Sequence, residues 1–192
     1  MTRVAVAVAM AARMLCVASM AVSQSDMHEP SGDKADARQA SAQLAFARLK
    51  TLAGKWKGQA AMGSSSAPVR VSLRVTSGGD ALMHEMVPEG RSDDPSRGDD
   101  DPITMMYTDG DRLILTHYCD SGKNRPRMAG KLSADRKTVA FDFLDVSGGT
   151  KYGHMHQAVF TIVDVDHHTE DWTYMSPADQ PGHAHIVLVR AK

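Results

Sequence analysis

The chain has 192 residues, 42% hydrophobic and 23% charged, with a formal net charge of −1, which suits one domain of about 150 residues plus a short extra segment. Its 22 basic and 23 acidic residues form no basic stripe with interleaved aromatics, so the electrostatic footprint of nucleic-acid binding is excluded.

The extra segment is at the start. Residues 1–23 hold Arg3 and Arg13, no acidic residue, and the apolar run "VAVAVAMAA", Val4 to Ala12. This pattern predicts a signal peptide with small residues, Ala21 and Ser23, ahead of a cleavage site before Gln24, and therefore a secreted or periplasmic protein. The run is too short for a membrane-spanning helix of about 20 residues, so the mature chain is expected to have no integral membrane segment. Removing residues 1–23 takes two of the 22 basic residues and none of the 23 acidic ones, which leaves a charge near −3. It also removes Cys16, so Cys119 stands alone as a small buried apolar residue, a metal ligand or a free thiol.

Residues 24–33 are polar and contain Pro30 and Gly32, which predicts a disordered linker, and the domain proper is expected over 34–192. Asp33 can cap a helix from about Lys34 to Leu52, Ala-rich, stopped by Gly54, with Leu44, Phe46, Leu49 and Leu52 as its apolar contacts.

After Gly54 short strand-like segments alternate with turn signals at roughly ten-residue intervals. "APVRVSLRV" sets Val69, Val71, Leu73 and Val75 on one face and Arg70, Ser72 and Arg74 on the other. "SGGD" at 77–80, "TDGD" at 108–111 and "SADRK" at 133–137 are tight turns, so neighbouring strands pair in sequence order. The long polar insertion "PEGRSDDPSRGDDD", Pro88 to Asp101, reads as a surface loop. About nine or ten strands are expected, in an antiparallel up-and-down β-barrel wide enough for one small ligand, with an open two-sheet sandwich as the alternative.

"LKTLAGKWKGQA", Leu49 to Ala60, resembles the entry motif of calycin-like barrels, in which Gly54 and Trp56 would form the Gly-x-Trp of the first strand. The blocks "YTDGDRLILTHYC", "PRM" at 126–128, "GHMH" and "VDVDHHTEDW" are similar to those of uncharacterised bacterial secreted proteins grouped with lipocalin-like or nitrobindin-like domains. The resemblance runs from about Leu49 to the C-terminus. It implies a barrel with Trp56 across its floor and a ligand-sized interior, without an established reaction.

Four of the nine histidines fall between Tyr152 and Trp172. Strand alternation puts His154, His156, Ala158, Phe160 and Ile162 on one face, and the apolar members suggest that it is interior. By the same parity His168, Glu170, Trp172 and Tyr174 face inward on the next strand, and Leu113, Leu115, His117 and Cys119 on an earlier one. The ligand-binding candidates are therefore His117, His154, His156, Phe160, His168, Glu170 and Trp172.

His-x-His on a strand leaves two imidazoles roughly 7 Å apart on one side, a chelating spacing, so His154, His156, His168, His117 and Cys119 are the candidate metal ligands. The competing reading makes them polar core groups hydrogen-bonded to one another. No nucleophile elbow, phosphate loop or His-Glu-x-x-His motif is present, and no cofactor is specified. The expectation is a secreted barrel that binds a small, partly apolar molecule. The alternative is a metal- or haem-dependent enzyme using the His/Glu/Cys cluster.

Overall fold

The computed structural model describes residues 31–90, 101–118 and 122–192. The expected signal peptide over 1–23, residues 24–30 of the expected linker, residues 91–100 of the polar insertion and Cys119 lie outside the described residues. No helix among the described residues is long and apolar enough to cross a membrane.

One helix, α1, spans Ser31–Lys50. It starts ahead of the expected cap, so Ser31, Gly32 and Asp33 form its first turn, where the Asp33 carboxylate lies at the positive end of the helix dipole. Ala42, Ala45, Phe46 and Leu49 are buried at the i, i+3, i+4, i+7 spacing of a single stripe. Leu44 falls off that stripe and is 42% exposed, so it is not one of the expected contacts.

Ten strands follow: β1 Gly54–Met62, β2 Ser65–Thr76, β3 Ala81–Pro88, β4 Ile103–Asp109, β5 Arg112–Tyr118, β6 Arg125–Leu132, β7 Thr138–Ser147, β8 His154–Ile162, β9 His167–Met175 and β10 Pro181–Arg190. Each pairs antiparallel with the next, and β10 pairs with β1, so the sheet closes into a barrel and the open sandwich is excluded. Closure removes every sheet edge. At the closing seam β1 and β10 approach so tightly that a Cβ on Gly58 would lie 1.8 Å from the Val187 carbonyl oxygen. Only glycine fits there.

The two ends of the barrel differ. At one end α1 spans the turns: Arg48 Nε donates to the Arg136 carbonyl (2.9 Å) and Lys50 Nζ to that of Gly79 (3.2 Å). Trp56 forms the floor above it, 1% exposed, its indole N–H donating to the Leu52 carbonyl at 2.8 Å. The Arg190 guanidinium lies 4.1 Å over the Trp56 ring and donates to the carbonyls of Ala53 (2.9 Å), Thr51 (3.3 Å) and Val165 (2.9 Å). One side chain of the last strand thus ties the helix exit, the first strand and the β8–β9 turn together. From this floor up to Phe141, Phe160 and Leu115 the interior is filled by apolar side chains, with His168 and Glu170 of β9 buried among them. The opposite end carries the β1–β2, β7–β8 and β9–β10 turns and the longer β3–β4 connection.

Candidate functional site

Inward-facing positions change character half-way up the barrel. Leu82, His84 and Met86 of β3 share the inner face, as do Thr104 and Met106 of β4, and Leu115 and His117 of β5. In the register, His84 is opposite Thr104, and Thr104 is opposite His117. The three form one polar row, its ends about two strand spacings or 10 Å apart. Across the barrel on β9 sit His168, Glu170 and Trp172. The Trp172 ring lies 5.7 Å from that of His84 and 5.5 Å from that of His117.

Glu170 is the centre of this layer. Its carboxylate, fully buried, accepts from His84 Nε2 (3.2 Å to Oε1, 3.0 Å to Oε2), from His168 Nε2 (3.1 Å) and from the Trp172 indole N–H (3.0 Å). Burial by itself pushes such a carboxyl up, but the charges and hydrogen bonds of His84 and His168 outweigh it and hold Glu170 well below the usual carboxylate range. Glu170 is therefore ionised at neutral pH. Beneath it, His168 meets Trp56 edge-on with ring centroids 4.2 Å apart, so the polar layer rests directly on the floor.

Above the layer is a cavity of about 800 Å³, within the usual range for small-molecule sites. Met62, Met86, Met155, Trp172 and Tyr174 make its walls mostly apolar, while His84, Thr104 and His117 form the polar part. Two ring nitrogens of this part are buried without a hydrogen-bond partner among the described residues: Nδ1 of His84 and Nε2 of His117. Each imidazole is anchored by its other nitrogen, His84 on Glu170 and His117 on Thr104 Oγ1 at 2.8 Å. Both rings are thereby fixed, with one unused nitrogen each. Buried polar atoms are rarely left so unless something else takes the bond.

His117 is shifted from 6.5 to about 4, by burial first and by the nearby His84 second. The unfolded chain takes up this proton below pH 6.5 and the folded protein does not until about pH 4. The associated stability is present above pH 6.5 and is lost as pH falls toward 4, by about 3 kcal/mol at 1.36 kcal/mol per unit. His117→Phe is expected to flatten urea-unfolding stability between those two pH values. An unchanged slope in the variant would show that another group carries it. Glu170 acts in a different window: with its pKa depressed, its stability is present above the ordinary value of 4.5 and lost only below it.

The expected site residues fall into three groups. His117 and Trp172 line the cavity. Phe160, His168 and Glu170 are fully buried beneath it, Phe160 edge-on to Trp172 at 5.7 Å. His154 and His156 do not line it, although Met155 between them does. The reason is a β-bulge: Met155 is opposite Tyr174 and Gln157 opposite Thr173, so His156 is an extra residue that breaks the alternation. Instead, the two imidazoles pack on Phe143, with ring centroids at 4.8 and 5.0 Å, and share a contact of 3.2 Å between His154 Nε2 and His156 Nδ1. Among the described residues no group of three or more His, Cys, Asp or Glu is arranged to hold a metal ion. His84 escaped the sequence reading, yet "ALMHEMV" gives it the parity of Leu82 and Met86, which was signal enough to find it.

No family model and no curated protein matches the chain. Among solved structures, a protein of unknown function from the DUF3598 family of Nostoc punctiforme PCC 73102 is similar with a TM-score of 0.51 and 13% identity. The match covers 74% of this chain and 49% of that one, so the chain spans about half that protein's length. EF1p2_mFAP2b, solved bound to DFHBI, matches with a TM-score of 0.39 and 11% identity over 76% of this chain and 98% of that one. The first of these is a likeness of fold alone: a β-barrel.

Proposed function

We propose that the barrel binds one small, predominantly apolar molecule in its upper half, its polar end held by His84 and His117 and its body against Trp172. The observation that carries this reading is the pairing of a mostly apolar cavity of about 800 Å³ with two imidazoles in its lining, His84 and His117, each anchored by one ring nitrogen. Apolar walls supply affinity and the few polar groups set orientation. A solid barrel would have needed no such space. The calycin-like resemblance belongs to the same reading, supported by the ten-strand closure and by Trp56 on the floor. Export belongs to it too, supported by the composition of residues 1–23.

Titration with N-phenyl-1-naphthylamine, a neutral probe that brightens in apolar surroundings, is expected to give saturable one-site binding. Met155→Trp, which adds bulk to the cavity wall without touching the polar layer, should weaken it tenfold or more while leaving the thermal midpoint nearly unchanged. Non-saturable binding, or equal binding by the filled variant, would overturn the reading.

A further inference from the structure

The side chains that line the cavity differ in kind from those that fill the barrel beneath it. We infer that the cavity takes an aromatic molecule, its ring system held among thioethers and aromatic side chains, in preference to a saturated molecule of the same size. This rests on the ligand reading above and names its chemical class.

The change of lining runs along single strands. On the inner face of β3 the chain passes from Leu82 to His84 and Met86, on that of β1 from Trp56 to Met62, and on that of β10 from Leu188 and Ile186 to Ala184. Branched aliphatic side chains stop where the cavity begins. Among the described residues that line it there is no Leu, Ile, Val or Phe, and the large apolar members are Met62, Met86, Met155, Trp172 and Tyr174. Met155 is there only because of the bulge at His156, which interrupts the alternation of β8 and turns a thioether to the wall in place of an imidazole. Three strands thus each supply one methionine.

A thioether sulfur is polarizable and makes favourable contacts at the edge of an aromatic ring, while the unbranched methionine side chain adjusts to the ring's outline. A saturated ring gains only what its buried area gives. The base of the cavity adds a second preference of the same sign. There the Trp172 ring has His84 and His117 at 5.7 and 5.5 Å, both tilted by 45°, and Phe160 edge-on at 5.7 Å. These separations lie within the range of about 4.5–7 Å in which aromatic rings attract beyond their area of contact. A ligand ring entering from above extends this cluster. None of the described lining residues is Asp, Glu, Lys or Arg, so a charge on the ligand would find no counter-charge among them, and the test compounds are uncharged.

The test is competition against N-phenyl-1-naphthylamine by two compounds of one skeleton, 2-methoxynaphthalene and 2-methoxydecalin. The saturated compound is the more hydrophobic, so burial of apolar surface alone ranks it first. The full-length protein is expected to reverse that order and bind the naphthalene at least threefold more tightly. Combining Met86→Leu with Met155→Leu keeps the apolar volume and removes two sulfurs, and the ratio is expected to fall at least twofold in this variant. A wild-type ratio below three, or a fall of less than twofold in the variant, would overturn the inference and, with the probe still bound, leave the ligand reading standing. A probe that does not bind the wild-type protein would remove both. The wild-type ratio decides the question by itself should the variant fail to fold.

Discussion

Glu170→Ala is expected to leave the protein unfolded at ambient temperature or to cost about 5 kcal/mol, a large share of a total stability of about 5–15 kcal/mol. The alanine strands three N–H donors, those of His84, His168 and Trp172, in a layer sealed below by Trp56 and from the sides by Phe160. Each buried, unpaired donor costs about 1–3 kcal/mol, and the void adds to this. Glu170→Gln keeps the shape and one acceptor oxygen but turns an NH₂ toward a donor, and should lose about 2–3 kcal/mol. Urea unfolding followed by circular dichroism measures both. An alanine variant as stable as wild type would mean that water enters the layer and satisfies the three donors.

Trp56→Ala is expected to cost about 4 kcal/mol, in the range measured for removing a large aromatic from a core. Trp56 is only 1% exposed, supports His168 edge-on, carries Arg190 on its face and satisfies the Leu52 carbonyl at the helix exit. Its removal opens the floor between α1 and the Glu170 layer. Trp56→Phe retains most of the packing and loses the N–H donor, so about 2 kcal/mol is expected. Thermal melts of the two variants against wild type test the ordering. Equal losses would assign the effect to the hydrogen bond with Leu52 and not to packing.

The two variants act on different links between sequence and structure. Trp56 was legible in the chain, because "GKWKG" begins the first strand with a large aromatic directly after a helix stop. Glu170 was legible as an inward residue from the alternation of "HHTEDW", in which Trp172 marks the interior face. Its partner His84 lies 86 residues away in sequence, and no local pattern joins the two. Likewise, β5 reads as an alternating strand, yet Leu113 to His117 are all buried, because burial depends on what covers each face as well as on the pleat.

The sequence by itself determined the helix, the succession of turns and strands in meander order, and the inward parity of His117, Phe160, His168, Glu170 and Trp172. These follow from short-range causes: helix propensity, turn chemistry and the two-residue period of a strand. Only the tertiary structure decided that β10 closes on β1 over Gly58, that the bulge at His156 puts Met155 and not its neighbouring histidines at the cavity, and that His84 is the side chain bridging Glu170 to the open space. The reason is physical. Closure and bulges depend on register between strands distant in the chain, and a hydrogen bond between side chains 86 residues apart depends on where the closed barrel sets them in space.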